Sequence, residues 1–360
     1  MPIDAAAFAD LLTDYCLEVQ PGQEVVVRST TLAAPLLLEC QRAILGRDAW
    51  PLLRVELPGA TPDFYRHARD RHLDLFSEVS FAEVKKSHAH LGIQAPENTR
   101  ALAGIDPERL SRAARARKPV RDLMMRKRWC ASLWPTQAGA QQAGMSFADF
   151  EAFVARALFL DQPDPTRSWG ELRAFQESLI ERLKPARELR IEAPGTDVTL
   201  TVKGRTWVNS DGRRNMPSGE VFTGPHEASA NGRIRFGVPS SPAGVDVAGV
   251  DLEFRDGLVV AAAAERGEDY LQRALATDEG ARRLGEIGIG TNFGIDRAIG
   301  ATLFDEKIGG TVHLALGRSY TETGGKNESA LHWDLICDLR RGGRLTADGE
   351  VVVQDGRFAL

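Results

Sequence analysis

The first 184 residues alternate helical apolar spacing with short β-branched runs, and the alternation stops at Lys184-Pro185. Few folds accept this rhythm. A strand, a helix and a second strand in sequence close most readily as a parallel sheet with helices on its faces. Phe8, Leu11, Leu12, Tyr15 and Val19 predict a helix over 4–20, broken at Pro21-Gly22. Residues 24–28 predict a buried strand, 31–46 a helix ending at Gly46, and 52–57 the next strand. Thr61-Pro62 reads as a helix start, with threonine as cap and proline in the first position. Residues 90–94 and 128–133 read as further strands. Two helical pieces then cover 146–184, capped by Ser146 and separated by Pro163 and Pro165.

Beyond Pro185 the texture is that of short strands, at 189–192, 198–202 and 221–222, with a helix near 267–284. Asp256-Gly257 joins 245–254 to 258–263 as a hairpin, and Asp355-Gly356 repeats the signal after 351–354. The chain of 360 residues is long enough for two domains at about 150 residues each. The expected fold is an α/β N-terminal domain with a mostly parallel sheet over 1–186. A β-rich α+β domain follows over 187–360.

An apolar fraction of 43% and a charged fraction of 26% suit a globular chain and exclude general disorder. The longest apolar run, around 259–264, is far shorter than the ~18 residues of a membrane span. Met1-Pro2-Ile3-Asp4-Ala5 has no basic n-region, so no secretory signal is expected there. Cys16, Cys40, Cys130 and Cys337 form no C-x-x-C pair, which argues against a disulfide framework and fits a cytoplasmic setting. A net charge of −5 argues against a nucleic-acid binder. One stretch departs from it: between Arg109 and Arg128, nine Lys or Arg accompany a single acid, Asp122. That stretch is either a solvated helix face or a patch for an anion or partner.

The chemistry-bearing residues gather late in the chain. His67 and His72 lie on an Arg-rich helix, and His88 and His90 alternate on a strand without carboxylates at ligand spacing. His332-Trp333-Asp334 is different, because residues two apart on a strand share a face and so offer an imidazole beside a carboxylate. His313 lies in a second strand at 311–316, preceded by Asp305 and Glu306. Glu286 and Glu220 sit in Gly-containing segments beside apolar strands. Two histidines with this many carboxylates carry more negative charge than one divalent ion balances, and two ions would balance it. His313, His332 and Asp334 alone would also make the two-His, one-carboxylate set of a non-haem Fe(II) ring-cleaving dioxygenase. A dimeric scaffold with a vestigial site is a further alternative.

Four strings resemble the thermophilic metalloaminopeptidase family: 215–223, 285–292, 304–317 and 327–334. The resemblance implies a homodimeric aminopeptidase that removes N-terminal residues from short peptides; the charge, apolar runs and cysteines add the expectation of a cytoplasmic protein with no nucleic-acid or membrane partner. It implies two divalent ions per chain (zinc, cobalt, manganese or magnesium) held by Glu220, Glu286, Glu306, His313, His332 and Asp334. Glu306 stands seven residues before His313, a longer segment than in some members. Glu286 is expected as bridging ligand or general base, and Tyr320 as the active-site tyrosine that donates to the oxyanion. The N-terminal domain would be lid and wall, and the C-terminal domain would carry the metal site.

Overall fold

A computed structural model describes residues 3–359. The chain divides into two compact units, Met1–Thr166 with Gly212–Pro217, and Arg167–Asp211 with Ser218–Leu360. It first passes from one unit to the other within a helix, Pro165–Leu183.

The first unit is built on four parallel strands, β1 (Glu24–Thr30), β2 (Trp50–Glu56), β3 (Ala89–Gln94) and β4 (Arg128–Leu133), in the order β2-β1-β3-β4. A two-residue strand, Asn215–Met216, adds beside β4. Val25 and Val27 of β1 are fully buried on one face of the sheet. The helices are α1 (Ala5–Asp10), α2 (Ala34–Gly46), α3 (Ala60–His67), α4 (Asp70–Asp74), α5 (Glu78–Lys86), α6 (Pro107–Ala116), α7 (Lys118–Met125), α8 (Gln137–Gln142) and α9 (Phe147–Ala157). Ser146 caps α9 as expected, accepting the Asp149 N–H. The first helix departs from expectation: α1 gives way to a π-helical segment, Leu11–Cys16, that ends before residue 20. The start of α3 is also earlier than expected. Gly59 adopts φ +81°, which turns the chain from β2 directly into the helix and leaves Thr61 and Pro62 inside the first turn.

The second unit opens with α10 (Pro165–Leu183). An antiparallel sheet of eight strands runs from Leu258–Arg266 at one edge, through Ala248–Arg255 and Asn231–Phe236, to Arg357–Phe358 at the other. The Asp256-Gly257 hairpin forms as expected, both residues having positive φ. A second, smaller sheet holds β5 (Val208–Ser210), β6 (Glu220–Thr223), β7 (Leu284–Gly290), β8 (Thr311–Gly317) and β9 (His332–Asp338), in the order β9-β8-β7-β6-β5. One core joins α10 to both sheets, through Leu179 and Leu183, Phe236 and Leu252, and Ile287, Leu314 and Leu335. The helix expected over 267–284 is two pieces, α11 (Glu268–Leu275) and a 3-10 turn, Glu279–Arg282. Asp278 caps the turn separately by accepting the Ala281 N–H, and Gly280 packs against the Glu328 carbonyl. The four cysteines are buried thiols outside any disulfide. Among the described residues no helix is long and apolar enough to cross a membrane.

Val312, Leu314 and Leu316 fill the core from the central strand β8, and all three are fully buried. Replacing Leu314 by alanine should cost about 2–5 kcal/mol of unfolding free energy, the range for a leucine truncated in a packed core. Denaturant titration checks this; a loss below about 1 kcal/mol would mean that the β8 core face repacks freely.

Candidate metal centre

Strand parity separates the small sheet into a dry face and a charged one. Val221, Ile287, Ile289, Val312, Leu314 and Leu335 face the core. Their neighbours along the strands, Glu220, Glu286, His313, His332 and Asp334, share the opposite face. The register sets Gly290 against Glu220, Gly288 against His313, Ala315 against both Glu286 and Asp334, and Gly317 against His332. The positions between the charged groups are therefore glycine or alanine. At Gly288 this is obligatory, because a Cβ would lie 2.1 Å from the His313 ring. A register shift between Leu284 and Glu286 turns Leu284 to the core and leaves Glu286 on the charged face.

The two imidazoles are oriented from behind. His313 donates from Nδ1 to the Glu306 carbonyl at 3.1 Å, and His332 donates from Nδ1 to the Arg318 carbonyl at 2.9 Å. Each ring thereby turns Nε2 into the pocket. His313 Nε2 lies 3.5 Å from Glu220 Oε2 and 3.4 Å from Glu286 Oε1. His332 Nε2 lies 3.7 Å from Glu286 Oε2 and 3.6 Å from Asp334 Oδ1. Two triads result, Glu220–Glu286–His313 and Glu286–His332–Asp334, each with ligand atoms within 4.8 Å of one another. Glu286 belongs to both. Glu220 Oε2 and Glu286 Oε2 are buried without a hydrogen-bond partner. Orphaned carboxylate oxygens facing one another repel unless a cation lies among them, so this set of carboxylates and imidazoles fits divalent metal.

Glu306 lies outside both triads. It follows the helical turn Thr302–Asp305, and its carboxylate is held by the Lys307 ammonium. Lys307 Nζ also lies 3.2 Å from Glu220 Oε1, and its side chain is fully buried. Lysine next to a candidate ligand in a loop gave no sign of this in the sequence; a wholly buried ammonium is visible only in the folded chain. Asp305 serves the loop instead, accepting the N–H groups of Ile299 and Gly300. Tyr320 is half-buried with its ring edge-on to His332 at 5.1 Å, and its hydroxyl makes no hydrogen bond among the described residues. Behind β6, Gln176 of α10 donates to the Glu220 carbonyl at 2.8 Å and to Thr291 Oγ1 at 3.1 Å. Asn292 donates to the Ser218 carbonyl. The other histidines serve the backbone or a hydroxyl. His88 accepts the Glu24 N–H, His90 bonds Ser87 Oγ, and His67 and His72 are exposed.

The electrostatics fit a site prepared for cations. Burial pushes the Glu220 carboxyl up to about 7 against the pull of Lys307. Burial, with Glu306 nearby, pushes Asp334 up to about 6. Burial works against charge on His313, but its bond to Glu286 and the surrounding carboxylates hold it up at about 10. Burial opposes the charge of Glu306 too, yet Lys307 holds that carboxyl below its ordinary range. Without metal, Glu220 in the folded chain takes its proton at about 7 and in the unfolded chain at 4.5. Its contribution to stability is therefore present at low pH and is lost as the pH rises through that window. Metal binding must displace these protons. The rise in melting temperature given by added zinc or cobalt should accordingly grow from about pH 6 to about pH 8, as protons leave Glu220 and Asp334. Differential scanning fluorimetry with and without chelator measures it, and an increment that shrinks with rising pH would contradict these ligands.

A sequence model of the family described as Thermophilic metalloprotease (M29) matches residues 4–358. Aminopeptidase 2 of Geobacillus stearothermophilus is 31% identical, over 98% of this chain and 97% of that protein. The solved structure of wild-type AmpT from Thermus thermophilus superposes with a TM-score of 0.86 at 25% identity, covering 99% of each chain. The fold is also shared with the 2,5-dihydroxypyridine dioxygenase of Pseudomonas putida KT2440, at a TM-score of 0.63 and 16% identity, over 99% of this chain and 98% of that one.

Proposed function

The chain belongs to the thermophilic metalloprotease family (M29) and is a metal-dependent aminopeptidase acting on peptides, and we propose that it works through two divalent ions bridged by Glu286. The observation that carries this reading is the division of one carboxylate between two histidines: Oε1 of Glu286 faces His313 and Oε2 faces His332. Glu220 and His313 complete one ion's protein ligands, and His332 and Asp334 complete the other's. When bound, the two ions would acidify a water and polarise the scissile carbonyl.

The remaining steps fall to side chains. With both oxygens of Glu286 engaged, Glu306 is the carboxylate left to receive the water's proton and return it to the leaving amine. Lys307 positions Glu306 and keeps it ionised. The Tyr320 phenol, buried enough to stay protonated, donates to the oxyanion that develops on the substrate carbonyl. The second unit, which holds every one of these residues, is the catalytic one. A homodimer in the cytoplasm completes the reading; buried thiols and the family resemblance support it. An iron dioxygenase using His313, His332 and Asp334 would leave Glu220 and Glu286 without purpose, although the fold would accept it.

Metal analysis together with hydrolysis of leucyl and arginyl chromogenic amides tests the reading. Two divalent ions per chain with amide cleavage are expected, and one iron per chain with oxygen consumption would overturn it. Tyr320→Phe should lower kcat by about 10²–10³ with KM and metal content little changed, since the phenol acts only on the way to the tetrahedral intermediate. Turnover within threefold of the parent would remove Tyr320 from the mechanism. Glu306→Gln separates its two assignments: an unchanged metal content with kcat lowered by about 10²–10⁴ marks the general base, and loss of an ion marks a ligand.

A further inference from the structure

The first unit contains a cavity of about 780 Å³ whose lining includes none of the candidate metal-centre residues. All of its lining residues belong to the first unit. Its floor is a sheet face that solvent reaches and that carries charge. Parallel strands covered by helices are ordinarily apolar on both faces. Here Arg28 of β1 pairs in register with Arg54 of β2, and the same face carries Glu56 at the end of β2 and His90 on β3. Gly92, in register with Arg28, has open space where a Cβ would stand, with only the Cys130 carbonyl within reach at 4.0 Å. The strand order reverses at β1, and Arg28 and Glu56 lie near the carboxyl ends of their strands.

The charges within this cavity do not cancel. Its acids are already occupied: Glu56 pairs with Arg28 at 3.1 Å, and Glu83 pairs with Arg54 at 2.5 Å and Arg28 at 3.8 Å. Three more guanidiniums line it, from Arg71, Arg117 and Arg121. The Arg71 side chain has no ion pair or hydrogen bond among the described residues. Among the described residues Arg117 meets no carboxylate; it lies 5.0 Å over the Phe64 ring and bonds the Tyr65 hydroxyl. Arg121 reaches only Asp122, at 4.0 Å, and Lys118 already holds that acid. Most of the basic run between Arg109 and Arg128 has structural partners: Arg109 bonds the Tyr65 and Ala68 carbonyls, Arg112 pairs with Asp70 and Asp74, and Lys127 bonds the Ser87 carbonyl. Arg117 and Arg121 are the members of that run turned to the cavity. Beside them the walls are aromatic and aliphatic, from Phe64, Leu75 and Phe76.

We propose that this cavity binds a small organic dianion, a phosphate or dicarboxylate group on a flat apolar body. Arg71, Arg117 and Arg121 take the charge, and Phe64 and Phe76 take the body. Guanidinium forks match the oxygens of such groups, and the volume lies within the range of small-molecule sites. Calorimetric titration of the full metal-loaded chain tests this, with phenyl phosphate as probe, inorganic phosphate as the charge alone and benzyl alcohol as the ring alone. Phenyl phosphate should bind saturably and more tightly than phosphate, and benzyl alcohol should not bind. Arg71→Ala and the double variant Arg117→Ala, Arg121→Ala should each weaken phenyl phosphate binding by about tenfold or more, the loss expected for a charged hydrogen bond. Hydrolysis of a neutral amide should be unchanged in both. A phosphate also suits a metal centre, so Asp334→Asn is the control and should keep the binding. Binding that is lost in Asp334→Asn and kept in the arginine variants would overturn the proposal, as would no saturable binding in the parent. If the double variant fails to fold, Arg71→Ala decides alone, because that side chain makes no ion pair or hydrogen bond among the described residues.

Discussion

Four carboxylates, the buried Glu220 and Glu286 and the half-buried Glu306 and Asp334, gather in one pocket of the second unit, and their mutual repulsion is the constraint around which that pocket is arranged. The cost of that burial shows in the raised carboxyls of Glu220 and Asp334, and at Glu220 it outweighs the pull of Lys307. At Glu306 the pull of Lys307 prevails and lowers the carboxyl. A lysine with no exposed surface would ordinarily lose its proton; Glu220 and Glu306 keep this one charged. On the two-ion reading, two divalent ions with Lys307 would more than offset the four carboxylates and leave the site able to take an anionic oxygen. A single ion would leave the pocket negative.

The pocket is held open by small residues and closed from behind by a large core. Gly288, Gly290, Ala315 and Gly317 leave the space between strands in which the charged groups meet. The other face of the same strands carries Ile287, Leu314 and Leu335 into the core shared with α10 and the larger sheet. Burial of that face fixes register, and register fixes which carboxylate faces which imidazole. The chemistry is therefore anchored by apolar packing one residue away along each strand. The sheet of the first unit obeys the same parity with a different outcome. Its one face buries Val25 and Val27, and its other face carries Arg28, Arg54 and Glu56 toward solvent.

Much of this was legible in the residues. Period-two spacing placed His332 and Asp334 on one face, and the β-branched run around His313 marked its strand. Asp-Gly pairs marked the hairpins because positive φ is needed at both turn positions. Other features were not legible. The helix over 267–284 broke because Asp278 caps a separate turn, a choice made by the tertiary partner Glu328 as much as by local propensity. Lys307 read as a loop lysine beside a glutamate, since no pattern distinguishes a buried ammonium from a solvated one.

The sequence by itself determined the alternation that makes one parallel sheet, the change to antiparallel strands after Pro185, and the residue types of the candidate centre. These are local properties, set by spacing along the chain. Only the tertiary structure decided that Glu286 faces two histidines, that Glu306 is held by lysine outside both triads, and that Arg71 and Arg117 line one cavity. Those relations join residues tens of positions apart. They depend on strand register, on the shift that turns Leu284 and Glu286 to opposite faces, and on the core that holds both in place.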